Sequence, residues 1–383
     1  MRVSMYKISF RRIFSLRLAV QRVLIFCCLL VLSGQSFSLQ VEGLFSESIV
    51  ILNDSDSERS RAYSEALRAV LIKLTGSEDA IRAPGLLRAF ESAGEYVDAV
   101  SYGTEDETLR DSASLGFKSE SNQRVLNINF SRVLVETLLL DAGIPIFDSN
   151  RPSVLLWMVV QEPNGERNLI TPELYPNFIS HFESFSKKRG IPFIYPLFDF
   201  EDQKALNEDK LWGLDAVTIE GASERYGPDS VLAGRLQITP SADLVGLWRF
   251  FFQNSVQSFD GLDTEIESYL DAALNRVTTE LVSYFAINPL NNDLSLATLR
   301  VDGIANLEGY SSLLDYLNTL GLLNNFVLSE MEGGRLEFRV EIRGDLEQLV
   351  GLIALDRDLK IIENSERSFS QGDFPLLHYR WTR

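Results

Sequence analysis

The chain holds two histidines, His181 and His378, the only imidazoles available for general acid–base work. His181 sits in the polar run Ser180-His181-Phe182-Glu183 and His378 in an alternating tail, so each reads as a surface or sheet residue rather than a catalyst. No H-E-x-x-H, G-x-S-x-G, Walker loop or G-x-G-x-x-G occurs, which removes the common zinc, serine-nucleophile and phosphate-cradle motifs. Carboxylates are the remaining chemistry. Asp54, Asp56 and Glu58 fall at i, i+2 and i+4, with Glu65 twelfth from Asp54, a spacing that mimics a calcium-binding EF-hand loop. The sixth position is Arg59, where the sharp turn needs glycine, and the following residues already belong to a helix. These acids are therefore read as first-turn residues favoured by the helix dipole. A carboxylate pair can also hydrolyse a glycosidic bond, but nothing marks one pair among 54 acidic residues. No catalytic, cofactor-binding or metal-ligating residue is assigned, and no cofactor is expected.

The first 38 residues set the address. Arg2, Lys7, Arg11, Arg12, Arg17 and Arg22 precede an apolar run over 23–32, followed by Ser33-Gly34 and Ser36-Phe37-Ser38. A basic segment, a short apolar run and small residues before a cut between Ser38 and Leu39 describe a secretory signal peptide. The run is about half the roughly twenty residues a spanning helix needs, so a cleaved signal is expected over an uncleaved tether to the inner membrane. Phe26 before Cys27 is too bulky for a lipoprotein cut. Both cysteines, Cys27 and Cys28, lie in this segment, so the remainder has no disulfide or thiolate site. Residues 1–38 carry six of the 36 basic residues and no acidic one, leaving 30 against 54, or −24. Such a balance disfavours nucleic acid and anionic lipid surfaces, both of which are held by Lys and Arg.

Three units follow. Residues 39–147 read as a small α+β domain: a strand at 48–52, a helix carrying Tyr63, Leu67, Val70, Leu71 and Leu74 and stopped at Thr75-Gly76, then the alternating strand 124–130 and a helix over 132–140. Residues 105–120 are an acidic loop, and 145–152 reads as a linker. Residues 153–288 read as a central α/β domain with a mixed sheet. The continuous apolar run 154–160 suits a strand buried on both faces, strands at 230–238 and 246–252 pair antiparallel, and an amphipathic helix runs from Ile266 to Tyr284. Trp248, Phe250 and Phe252 fall on one strand face, Arg249 and Phe251 on the other. Residues 297–383 follow the β-α-β-β-α-β order of a ferredoxin-like unit. Asp345 caps the second helix, and the last strand is either 359–362 or the alternating Leu377, Tyr379 and Trp381. The tail is expected to dock inside its own domain; a partner-docking strand formed by Leu377, Tyr379 and Trp381 is the other reading.

The signal-like segment, the helix Arg68-Ala69-Val70-Leu71-Ile72-Lys73-Leu74-Thr75-Gly76, the run Arg151-Pro152-Ser153-Val154-Leu155-Leu156-Trp157, the turn Arg225-Tyr226-Gly227-Pro228-Asp229-Ser230 and the closing Tyr379-Arg380-Trp381 resemble the DUF2066 family of exported Gram-negative proteins. The resemblance spans most of the chain beyond residue 38, and its motifs are structural punctuation. It implies a periplasmic location and no established activity. The central unit also looks like the N-terminal domain of TolB and the penicillin-binding-protein activators, which are interaction modules; that likeness is at the level of fold. The expectation is a non-catalytic interaction or assembly factor of the cell envelope whose partners are envelope proteins. Two rivals stay open: a small-solute or glycan-binding protein with a deep aromatic pocket, and a cofactor-free hydrolase with converging carboxylates.

Overall fold

The computed structural model describes residues 43–104, 124–147, 149–288, 294–356, 358–362 and 374–382. The contacts divide the chain into Met1–Ser38 and Leu39–Arg383. The signal-like segment with its Ser38–Leu39 cut, and the acidic stretch 105–120, lie outside the described residues. Among the described residues the fold is a mixture of α+β and α/β units built on three sheets.

The first sheet has the order β1-β3-β2, all antiparallel, from β1 (Ser46–Ile51), β2 (Val97–Thr104) and β3 (Arg124–Phe130). Helix α1 (Asp56–Thr75) begins at Ser55, whose hydroxyl accepts from the Glu58 amide, and ends at Gly76 in the left-handed region. Its Ala62, Ala66, Leu67, Val70, Leu71 and Leu74 bury against Ile49, Ile51, Leu126 and Ile128 of the sheet. Short α2 (Leu87–Glu91) and α3 (Arg132–Asp141) close this core with Phe90, Val135 and Leu139.

The second sheet is mixed. It runs β5-β4-β7-β8-β9, from β4 (Val154–Gln161), β5 (Arg167–Leu169), β7 (Ser230–Ile238), β8 (Leu244–Phe252) and β9 (Ser255–Asp263), and β6 (Phe193–Ile194) also pairs β4. Strand β4 is parallel to β7, and the β7-β8-β9 run is antiparallel. Alternation explains the three layers. Val154, Leu156, Met158 and Val160 join α4 (Pro176–Arg189) and α8 (Ile266–Phe285) in one core. Leu155, Trp157 and Val159 join α6 (Glu208–Gly213) and α7 (Ala216–Ser223), which follow α5 (Phe200–Ala205), in the other. Trp248, Phe250 and Phe252 face the α8 side and Phe251 the opposite one.

The third sheet has the order β11-β12-β10-β14-β13. Its elements are β10 (Leu294–Asp302), α9 (Leu307–Thr319), β11 (Leu323–Glu332), β12 (Arg335–Arg343), α10 (Leu346–Leu355), β13 (Leu359–Ile361) and β14 (Leu376–Trp381). A four-stranded ferredoxin-like sheet would place β13 directly beside β10. Here both candidate last strands form, and β14 enters between β10 and β13, parallel to the first and antiparallel to the second. Asp345 occupies the N-cap position of α10, but its side chain makes no capping hydrogen bond.

Residues 145–152 differ from the exposed linker their composition suggests. Phe147 is fully buried, and Arg151 is 2 % exposed. The Phe147 amide donates to Leu74 O at 2.7 Å, and Ile146 bridges Ile287. Arg151 donates from Nη1 to the carbonyls of Arg189 and Gly190 and from Nη2 to that of Phe147, so the guanidinium caps the end of α4. Asn150 donates to Leu352 O and Asp356 Oδ2 at the end of α10. The central and third sheets meet where α8 packs on α10: Gln348 donates to Tyr284 O, and a Cβ on Gly351 would lie 3.0 Å from the Tyr284 ring. One hydrophobic core runs through both.

Candidate functional site: an open strand edge

The residues with the most chemical potential are engaged in holding the fold. His181 Nε2 meets Asp271 Oδ1 at 2.8 Å between α4 and α8. His378 Nε2 meets Asp302 Oδ2 at 3.0 Å across β14 and β10, and Asp302 also accepts from Arg335. Arg335, then His378, holds the Asp302 carboxyl below its ordinary range. The EF-hand-like acids diverge: Asp54 pairs with Arg124, Asp56 with Arg59, and Glu58 and Glu65 with Arg61. Among the described residues no three His, Cys, Asp or Glu side chains are gathered as metal ligands. No described helix is long and apolar enough to cross a membrane.

The turn motifs are consumed in the same way. Asp202, 1 % exposed, accepts from Tyr226 Oη at 2.5 Å and from Arg225 Nη1 at 3.0 Å. Arg225 also grips both oxygens of Asp199, which lowers that carboxyl to about 2. Ser153 and Asp229 exchange hydrogen bonds where the parallel strands β4 and β7 begin.

The tail residues occupy an interior strand. Leu377, Tyr379 and Trp381 are all buried, the Trp381 ring lying 5.8 Å from that of Tyr316 on α9. Strand β14 pairs β10 over Leu376–Arg380 and β13 over Tyr379–Trp381, so it is an interior strand of its own sheet rather than an open edge. Burial pushes the Tyr379 phenol from its ordinary 10.0 up to about 12. The neutral phenol is thus favoured by folding, and this contribution is full below pH 10 and lost as pH rises through about 12. Denaturant titrations should therefore show stability falling over that interval, together with tyrosinate absorbance; constant stability across it would contradict the burial.

The unsatisfied surface is at β9. It pairs with β8 without a register shift from Leu244↔Asp263 to Phe252↔Ser255, and its outer edge has no strand beside it among the described residues. Other edges are shorter or interrupted. Strands β5 and β13 have three residues each, β13 carries Lys360, the β11 and β2 ladders contain register shifts, and on the six-residue edge β1 the Ser46 and Val50 carbonyls accept from Lys73 and Arg61. Such devices keep open edges from pairing with foreign chains, and β9, nine residues long, has no Pro, no Lys and no register shift, its charges being Asp260 and Asp263.

Period-2 alternation sorts its side chains. Phe259 is buried toward α8, beneath the Arg276 guanidinium at 4.6 Å, and Gln257 donates to Glu280 on the same side. A Cβ on Gly261 or Gly246 would run into the Tyr269 ring, so these glycines let α8 seat closely. Val256, Ser258, Asp260 and Leu262 project from the other face. Leu262 is 76 % exposed, beside the exposed Val245, and the exposed Val256 lies on the same face at the other end of the strand, opposite Phe251. The core on this face is formed by residues of β4, β7 and β8 with α6 and α7, and it includes no residue of β9.

Residues 38–148, spanning the first sheet and α1–α3, match the model of a domain of unknown function, DUF8605. Among solved structures, the C-terminal domain of LpoB from Salmonella enterica is similar at 10 % identity, over 30 % of this chain and 83 % of that chain. Its TM-score is 0.22. No curated protein matches the chain.

Proposed function

We propose that this chain is an exported, non-catalytic interaction or assembly factor of the bacterial cell envelope, of the DUF2066 kind, and that it engages envelope proteins through the β9 edge. The observation that carries this reading is the coincidence of a long, unshifted strand whose outer edge is unpaired among the described residues with the exposed Val256 and Leu262 on it and Val245 on its neighbour. A strand edge supplies affinity through main-chain hydrogen bonds, and alternate side chains supply specificity. The basic and apolar pattern of residues 1–38 supports export, and the acidic balance argues against phosphate backbones as partners. Both histidines are paired to aspartates that link neighbouring elements, and the marked acids pair with arginines, which supports a non-catalytic role. Trp157 and Trp248, the large aromatics a glycan platform would use, are buried in the two cores of the central sheet.

Fractionation should recover a processed form beginning near Leu39 in the soluble periplasm. A photo-crosslinking residue at Leu262 should give protein adducts in cells that the same residue at Val217, exposed on α7, does not give. An unprocessed integral membrane protein, or equal labelling at the two positions, would overturn the reading.

A further inference from the structure

We infer that the occupant of the β9 edge is a second copy of this chain, paired antiparallel about a two-fold axis at Phe259; this rests on the reading of that edge as a protein interface. The strand is Ser255-Val256-Gln257-Ser258-Phe259-Asp260-Gly261-Leu262-Asp263, and its residue classes are self-complementary about the centre. Pairing Phe259 with its symmetry mate sets Ser258 opposite Asp260, Gln257 opposite Gly261 and Val256 opposite Leu262, each twice. On the open face the two exposed apolar side chains of one copy thus meet the two of the other. Each Asp260 carboxylate faces a Ser258 hydroxyl, a donor opposite an acceptor, and no carboxylate faces a carboxylate. Directly opposed like charges destabilise a strand pair, whereas apolar and hydrogen-bonding pairs stabilise it.

Register gives the pairing its specificity. A slip of one residue turns every side chain of one copy to the opposite face and sets Val256 and Leu262 against the α8 side. A slip of two removes the apolar matches. The centred register is the isologous arrangement that a closed two-fold dimer requires, the same patch serving both copies. Ser258 and Asp260 are exposed, and Phe259 and Gln257 already have partners on the α8 side, so the pairing needs no rearrangement of the strand. Because each copy carries a net −18, or −24 without residues 1–38, raising salt should tighten the dimer by screening repulsion between copies.

The test uses the full chain with Cys27→Ser and Cys28→Ser, so that introduced thiols are the only ones. In the centred register Val256 of one copy lies beside Leu262 of the other, while two Val256 positions are about 20 Å apart along the strands. A mixture of V256C and L262C should therefore give a covalent dimer on oxidation or with a short bis-thiol reagent. Each variant alone should not, nor should V256C mixed with V217C. Sedimentation should show a dimer that Val256→Lys/Leu262→Lys dissociates at least tenfold more readily, with an unchanged melting curve. The inference is overturned if folded V256C and L262C fail to link, or if either links as well alone. If the chain is monomeric while Leu262 still yields adducts with other proteins, the dimer falls and the interface reading stands. If Leu262 yields no adduct of any kind, both fall.

Discussion

Deleting residues 377–383 should abolish cooperative folding of the third sheet. Strand β14 is its fourth of five, flanked by β10 and β13, so removing it leaves two unpaired ladders inside the domain and empties the seat of Leu377, Tyr379 and Trp381. Trp381→Ala alone should cost about 3–5 kcal/mol, the range for truncating a buried large aromatic. Tyr316 would lose its ring partner and Asp358 O the Thr382 amide that donates to it. Because β10 and α10 share a core with the central sheet, the loss should spread beyond the third unit and lower the midpoint of the main denaturant transition. A truncated chain with an unchanged midpoint would mean that the tail is dispensable to its own sheet.

Arg151→Met should be comparably damaging, although the Pro-, Asn- and Asp-containing stretch around it does not suggest a buried arginine. The guanidinium is buried against three backbone carbonyls and lies 4.4 Å over the Phe147 ring. Substituting an apolar chain of similar length leaves those carbonyls without their donor, at about 1–3 kcal/mol each. Over the three carbonyls the total is on the order of 3–9 kcal/mol in chemical denaturation. Arg151→Lys should recover only a fraction, because a point-like ammonium cannot reproduce a planar fork spanning three acceptors. Full stability in Arg151→Lys would show that charge alone, without fork geometry, holds Phe147 to the end of α4.

Those two residues also mark what can and cannot be read from the chain. The apolar run at Val154–Gln161 is legible as a strand covered on both faces because both parities are hydrophobic, and it is. Helix α1 is legible from Ser55, its first-turn acids and Gly76. The third unit's element order is legible too, but spatial order is not: alternation of Leu377, Tyr379 and Trp381 reports one buried face and is silent on which strands lie beside it. Residues 145–152 carry Pro, Asn and Asp, a composition that normally marks an exposed linker, and only tertiary carbonyl acceptors turn Arg151 inward. Strand β9 leaves the weakest trace of all. Phe259 is its single buried residue, Gly261 and two aspartates dilute its strand propensity, and Val256 and Leu262 point to the face that nothing in the described chain covers. Its remaining local signal is the two-residue turn Gln253-Asn254 after β8, with Gln253 at a positive φ.

The most direct measurement of the central claim is the Val256→Lys/Leu262→Lys variant, followed at once for its melting curve and for the adducts formed in cells by a photo-crosslinker at Ser258. Both substitutions replace exposed apolar side chains on the outer strand with the charges that natural sheets use to close an edge. The expected result is a melting curve that overlays that of the unaltered chain and a loss of the Ser258 adducts. Adducts that persist at full strength with β9 so charged would contradict it.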